Sequence, residues 1–371
     1  ISAGEKINSN WGQRAFAYSN NISGFKSLCT QNLADPTISD GSTAMDVSLW
    51  TGNGTNKTIS GLSHSPDLAW VKARSFGADP EIYDIVRGAG ERLYTSLTNA
   101  ESTASSSVNS FTSNGFTVTG GGGVNNNNST YVGWTWDAGS TTASNTDGTI
   151  TSSVRANQTA GFSIVSYTGT ETANDSVGHG LNAAPELIIT KNRDNGTYSW
   201  RVLTTAIDGS LDRLFLNATS TKADQTGVNV PTSSVFYVGS NLDHNKSGDA
   251  IIAYCFAPVE GYSAFGSYEG NGDGNGPFVY TGFRPAFLMI KASSTTGNWH
   301  MHDTSRSVDN PAPERLFSNL TNAEQTSSAG NIDILSNGFK LKNSTAGYNA
   351  DGVTHVYVAF AEHPFKTARA R

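Results

Sequence analysis

Two Asp-x-x-Arg pairs come first among the residues that could do chemistry: Asp84 with Arg87 and Asp303 with Arg306, each followed by Glu-Arg-Leu at residues 91–93 and 314–316. A carboxylate beside a guanidinium can hold a substrate by a bidentate contact. The same set recurring at the same place fits an internal ion pair or turn brace better than a reacting centre. His300 and His302 lie on one face of "WHMHD" and could offer two imidazoles to a transition metal, but no third or fourth ligand accompanies them. Their counterparts in an earlier copy of the segment are Glu81 and Tyr83, so this face reads as varied surface. In "GNGDGNG", Asn271, Asp273 and Asn275 alternate as in a calcium loop, yet the twelfth place is Gly282 where an acidic ligand is required. Lys72, Lys191 and Lys291 each end an apolar run, and such lysines are expected to pack the stem and send the ammonium to solvent. The chain has no Gly-x-Ser-x-Gly elbow, no phosphate loop ending in Lys-Ser/Thr and no Cys/His cluster with zinc spacing. No pair of carboxylates is favoured for glycoside cleavage. The reading predicts no catalytic residue, no metal and no cofactor.

Binding remains. Recognition on a repeated scaffold belongs to the loops that differ among the copies. Amides and hydroxyls there suit sugar hydroxyls, and an aromatic face suits a pyranose ring. Tyr198, Asn298, Trp299 and Tyr348 are the candidate ligand-binding residues on this ground.

The elements that must position these residues recur three times in one order. An aromatic hairpin signal ("WTGNG", "YTGT", "YEGNG") precedes a Pro-led apolar run ("SPDLAWVK", "APELIITK", "RPAFLMIK"). A Leu-centred segment follows ("ERLYTSL", "DRLFLNA", "ERLFSNL"), and each copy closes on "YVGWTW", "IIAYCF" or "VYVAFA". These runs are short, rich in β-branched and aromatic residues, and bounded by Gly, Asn, Asp or Pro, which is strand grammar. "LAWV", "LIIT" and "FLMI" are apolar on both alternations, as in strands covered on both faces. The predicted fold is all-β: three tandem β-sandwich modules of jelly-roll or concanavalin-like type, at residues 43–138, 160–258 and 259–366. Residues 139–159, rich in Ser, Thr and Asn, read as a linker or extended strap, residues 1–42 as the end of a preceding module, and residues 367–371 as a basic tail.

Charge and cysteine content narrow the class. A net charge of -7 supplies no basic face for phosphates, so nucleic acid is not an expected partner. No apolar run reaches the length of about 18 residues that a membrane helix needs. Of the two cysteines, Cys255 lies in a strand-like run and is expected as a buried thiol, unbridged to Cys29. The chain begins at Ile1 rather than Met, which suggests a portion of something longer.

The phrases "SVRANQTAGFSIVSYTG", "GFRPAFLMIK", "LSNGFKL" and "YVAFAEHPF" resemble a domain of unknown function found, often in tandem, in structural proteins of tailed phages of marine bacteria, cyanophages included. The resemblance covers roughly residues 47–366. Upstream, "NWGQRAFAYSNNISGFKSLCTQNL" at residues 10–33 is similar to the closing part of a SPRY-like, concanavalin-type module. The family carries no catalytic motif to transfer. The resemblance implies an exposed virion appendage of tail-fibre, receptor-binding type. Such a protein would adhere without catalysis to a host surface glycan or receptor, associate with other virion proteins and assemble as a homotrimer, with no membrane insertion. The alternatives are a capsid-decorating or head-fibre structural protein and a polysaccharide depolymerase.

Overall fold

The structure, a computed structural model, describes residues 32–368. The SPRY-like segment up to residue 31, Cys29 and the last three residues of the basic tail lie outside the described residues. The fold is all-β, as the sequence predicts, and is built of several antiparallel sheets.

In the first copy, a six-stranded sheet runs in the order Met45–Thr51, Thr130–Trp136, Leu68–Ala73, Glu81–Asp84, Glu91–Tyr94, Ser102–Thr103. A three-stranded sheet, Lys57–Ser60, Gly115–Val118, Val108–Thr112, backs it. The third copy repeats this with Ser263–Glu269, Thr354–Pro364, Phe283–Ala292, Trp299–Asp303, Glu314–Phe317, Gln325–Thr326, and a small sheet of Phe278–Tyr280, Gly338–Leu341, Ile332–Leu335. The second copy has eight strands in its large sheet: Thr142–Asn145, Ser152–Asn157, Phe162–Thr168, Ala250–Phe256, Leu187–Asn192, Arg201–Thr204, Asp212–Phe215, Ala223–Asp224. Its small sheet pairs Asp175–Gly178 with Val235–Val238.

The two extra strands correct the reading of residues 139–159 as a linker. Thr142–Asn145 and Ser152–Asn157 pair in register, Ala143 opposite Val154, and extend the edge of the second large sheet. Ile150 and Val154 bury inward. Thr151 and Ser153 between them face outward from an edge hairpin, a place threonine favours, while Ser152 turns inward with Val154.

Why the central strands are apolar on both alternations is now physical. Leu68 and Trp70 face one way, into a core that also holds Leu187, Ile189, Phe287 and Met289 of the other copies. Ala69, Val71 and Ala73 face the other way, toward Phe116 and Val118 of the first copy's own small sheet. The second copy divides its closing strand likewise. Ile252, Tyr254 and Phe256 face the shared core, while Ile251, Ala253 and Cys255 face the small sheet. Cys255 is a buried free thiol, and burial pushes its pKa well above the ordinary range.

The shared core closes on three aromatic rings at equivalent places in the three closing strands. Trp136 lies 6.3 Å from Phe256 and 5.6 Å from Phe360, and Phe256 lies 5.7 Å from Phe360. Edge-on contacts of this kind contribute beyond area burial. A void of about 20 Å³, lined by apolar side chains of all three copies, is the space left beside them. The copies are therefore not beads on a string: each lends one face of its large sheet to a common centre.

That centre generates an expectation. Thermal unfolding followed by calorimetry should show one transition whose calorimetric and van't Hoff enthalpies agree, where independent modules would give two or more. Trp136→Ala should cost about 3–5 kcal/mol and lower that single transition as a whole.

Candidate functional site

The chemistry-bearing residues converge on the seams between copies. Lys72, Lys191 and Lys291 are fully buried, which corrects the expectation that their ammonium groups reach solvent. Lys191 Nζ donates to Thr98 O of the first copy at 2.8 Å and to Asn192 O and Tyr198 O at 2.8 and 3.0 Å. Lys72 donates to Ala78 O and, 249 residues along the chain, to Thr321 O of the third copy at 2.9 Å. Lys291 donates to Ala292 O and to Thr219 O of the second copy at 3.3 Å. Thr98, Thr219 and Thr321 stand at one place in the Leu-centred segment, so lysine after lysine reaches into the neighbouring copy and the contacts close a ring. None of the three forms an ion pair among the described residues. The carbonyl oxygens hold an ammonium while burial pushes each lysine down to about 8.

Beside the lysines, the Asp-x-x-Arg pairs are interior braces. Arg87 Nε donates to Asp84 Oδ2 at 2.5 Å and its Nη1 to Glu101 Oε2 at 2.9 Å. Glu101 also receives Arg193 of the second copy at 2.6 Å, and Asp84 receives the Tyr254 hydroxyl of the second copy at 2.8 Å. The seam between third and first copies repeats this with Asp303, Arg306, Glu324 and Arg74, and Trp134 Nε1 donates to Asp303 Oδ2 at 2.9 Å. At the seam between second and third copies all five positions differ together: Thr204, Ile207, Lys222, Ser293 and Val358. Lys222 turns instead to Asp208 and Asp212 of its own copy, at 2.5 and 2.8 Å. Joint replacement follows from energetics: one lost partner leaves a buried charge uncompensated, whereas here the set is replaced whole and its one charge, Lys222, finds carboxylates within its own copy.

The imidazole pair is also interior, correcting its reading as surface. His302 Nε2 shares a 2.7 Å hydrogen bond with Tyr348 Oη, and the His300 ring lies 4.2 Å from the Tyr348 ring. Burial pushes His300 down to about 3 and His302 well below its ordinary value, so both are neutral. Among the described residues, no group of three or more His, Cys, Asp or Glu is placed to hold a metal. In the "GNGDGNG" loop, the Asn271 side-chain oxygen and the Asp273 carbonyl receive a side-chain amide, and Asp273 Oδ1 accepts from Asn275 N at 2.7 Å. Asn349 Nδ2 donates to Asn271 Oδ1 at 2.9 Å and to Asp273 O at 2.7 Å, and its Oδ1 accepts from Asn271 N at 2.8 Å. Asn125 and Asn245, each ending a four-residue helical turn, brace the equivalent hairpins. The sequence carried that signal in "VNNNN", "LDHN" and "AGYN", where an Asn recurs before each closing strand.

The four predicted ligand residues are not brought together. Trp299 and Tyr348 are buried and offer no ring face: Trp299 Nε1 donates to Phe215 O across a seam at 3.0 Å, and Tyr348 packs on the two histidines. Asn298 is half-buried and its Oδ1 accepts from Asn319 at 2.8 Å. Tyr198 is half-buried, two residues past Gly196, which lines a cleft that sequence reasoning missed. That cleft, a shallow and open depression, lies at the seam of the first and second copies between Arg92, Tyr94, Asn99, Ser102 and Gly196. The Arg92 guanidinium sits 4.5 Å above the Tyr94 ring, and Trp200 Nε1 fixes Tyr94 O at 2.8 Å. A ring edge, a guanidinium, an amide and a hydroxyl are the groups that recognise a hydroxylated, anionic sugar.

One family matches the chain, described as Domain of unknown function (DUF7483), over residues 40–364, a single span that takes in all three copies. No curated protein and no solved structure matches the chain. No helix among the described residues is long and apolar enough to cross a membrane.

Two outcomes are expected from the seams. Arg87→Ile alone should cost about 3–5 kcal/mol in urea unfolding. Combined with Asp84→Thr, Arg193→Ser and Tyr254→Val, which like Arg87→Ile copy the seam between second and third copies, and with Glu101→Thr, which removes the last charge of the set, it should stay within about 2 kcal/mol of the parent protein. The lysines bear on pH. Each binds its proton with a pKa of about 8 when folded, against an ordinary 10.5. From pH 8 to 10 the unfolded chain holds more protons, so stability should rise with pH, by up to about 1.4 kcal/mol per lysine per pH unit. The urea midpoint measured at pH 7.5, 8.5 and 9.5 checks the sign, and Lys191→Met should flatten the slope.

Proposed function

The chain belongs to the DUF7483 family, whose description leaves its function open, and we propose that it is a non-catalytic adhesion protein. In this reading it forms part of a phage virion appendage of tail-fibre type, exposed outside the particle. Its three repeats, each a sandwich of a large and a small sheet, carry loops that bind a polysaccharide of the host surface. Attachment through other virion proteins, as a trimer behind a SPRY-like module, belongs to the same proposal.

The observation that carries the reading is where the reactive side chains lie. Lys72, Lys191, Lys291, Asp84, Arg87, Asp303, Arg306 and His302 are buried and engaged in joining elements of the scaffold. What faces solvent beside them is an Arg-Tyr-Asn-Ser cleft and polar loops, a surface suited to hold a sugar chain rather than to cleave one. An aromatic ring already stacked under a guanidinium is pre-ordered, which lowers the entropy lost when a ligand binds.

The test is retention on a panel of immobilised bacterial capsular polysaccharides and lipopolysaccharides. At least one should bind the chain saturably, and Tyr94→Ala and Arg92→Ala should each weaken it by about tenfold, or 1.4 kcal/mol. Retention that neither variant changes would sink the cleft as the site. Steady release of oligosaccharides into the flow-through would replace adhesion by a depolymerase.

A further inference from the structure

The three small sheets have equivalent outer strands, Lys57–Ser60, Asp175–Gly178 and Phe278–Tyr280, with Ile59, Val177 and Val279 buried at the same register position opposite Phe116, Phe236 and Phe339. In the second copy the outer edge of this strand is covered by the chain itself. Ile150 forms a parallel bridge with Val177, and Ile150 N donates to Ser176 O at 2.9 Å. Ser152 Oγ donates to Gly178 O at 2.9 Å, and Ser176 N donates to Thr149 Oγ1 at 2.9 Å. Residues 148–152 thus lie along the sheet edge, held by one parallel backbone bridge and by hydroxyl contacts on either side of it.

Among the described residues, the third copy has the same edge without such a cover. Thr281 N donates to Asn337 O at 3.0 Å and Leu341 N to Pro277 O at 3.1 Å, which fixes Val279 and Phe339 as the hydrogen-bonded pair between them. The backbone N–H and C=O of Phe278 and Tyr280 therefore point away from the sheet, and they have no hydrogen-bond partner among the described residues. The chain entering this copy, residues 257–262, is too short to wrap round as residues 139–152 do in the second. The flanking side chains differ as well. Where the covered edge carries Ser176 and Gly178 and the first copy carries Thr58 and Ser60, the third carries Phe278, 45% exposed, and Tyr280, 63% exposed. Edges left open to water are ordinarily blunted by charge or proline, and this one is flanked by aromatic rings.

We propose that the outer edge of Phe278–Tyr280 is a strand-addition site for an extended segment of another polypeptide. The occupant is chemically a relative of residues 148–152: uncharged, with small hydroxyl residues around one β-branched residue that lies parallel to Val279. Its N–H bonds to Phe278 O, its C=O accepts from Tyr280 N, and its outward side chains pack on the two rings, the mode by which edge strands recruit partners. This goes beyond glycan adhesion, since it supplies a protein partner on a different surface.

The probe is a fluorescein-labelled, C-terminally amidated peptide with the sequence of residues 148–153, GTITSS, titrated with the full chain by fluorescence anisotropy. Saturable binding is expected, with slowed hydrogen exchange at the Phe278 and Tyr280 amides. Tyr280→Pro, which removes the outward N–H, should weaken it at least tenfold, while Thr58→Pro on the first copy's edge should leave it unchanged. Should Tyr280→Pro fail to fold, Tyr280→Lys keeps the backbone donor and is expected to weaken binding at least threefold. The proposal is overturned by absence of saturable binding or by binding that the Tyr280 variants do not alter. Amides of Phe278 and Tyr280 already protected before peptide is added would equally overturn it, because residues 1–31 or a second copy would then hold the edge.

Discussion

A large sheet with two apolar faces and only one small sheet to cover them governs this protein. The small sheet covers Ala69 and Val71 in the first copy and Ile188 in the second, while among the described residues Trp70, Ile189 and Met289 are covered by the other copies. Burial of such a face is the main favourable term available to a fold of this size. Three copies supply it to one another by turning these faces inward, and the Trp136, Phe256 and Phe360 rings meet where the faces converge.

Once the faces converge, the polar chemistry of the seams follows. Packing three sheets face to face brings strand ends and the backbone of the Leu-centred segments out of water, and a carbonyl left without a donor there is costly. A lysine at the end of each central strand is long enough to deliver several donors to that backbone at once. The Asp-Arg-Glu-Arg chains do the same for side chains, and they tie Tyr254 and Trp134 of the core to the seam. Apolar convergence sets the geometry, and the buried charges satisfy polar groups that it takes out of water.

Much of this was legible in the sequence. Three ordered anchors, strands apolar on both alternations and Gly/Asn turns specify antiparallel sheets repeated three times. The seams were not legible, for a reason particular to these residues. Lys72 at a strand end looks like any solvated lysine until Thr321, in another copy, is brought to it. Trp299 and Tyr348 looked like ligand platforms because each neighbours a loop, yet which face of its element is buried depends on a neighbouring copy or on the adjacent helical turn. Residues 142–157 looked like a linker because an edge hairpin exposed on one side needs the same hydroxyl-rich composition as a solvated strap. Arg92 and Tyr94 were visible only as members of a repeat anchor. The cleft they line arises from Gly196, which belongs to the next copy.

A ring closed by one polypeptide differs from a ring of three identical subunits in what inheritance can do to it. In a homotrimer a substitution at the interface appears three times at once, and a half-made change is met at every joint. Here each joint is encoded by its own stretch of the gene. One joint carries Thr204, Ile207, Lys222, Ser293 and Val358 where each of the others carries an ion chain. The same independence allows a single edge, a single loop or a single cleft to be altered while the other two copies keep the ring shut.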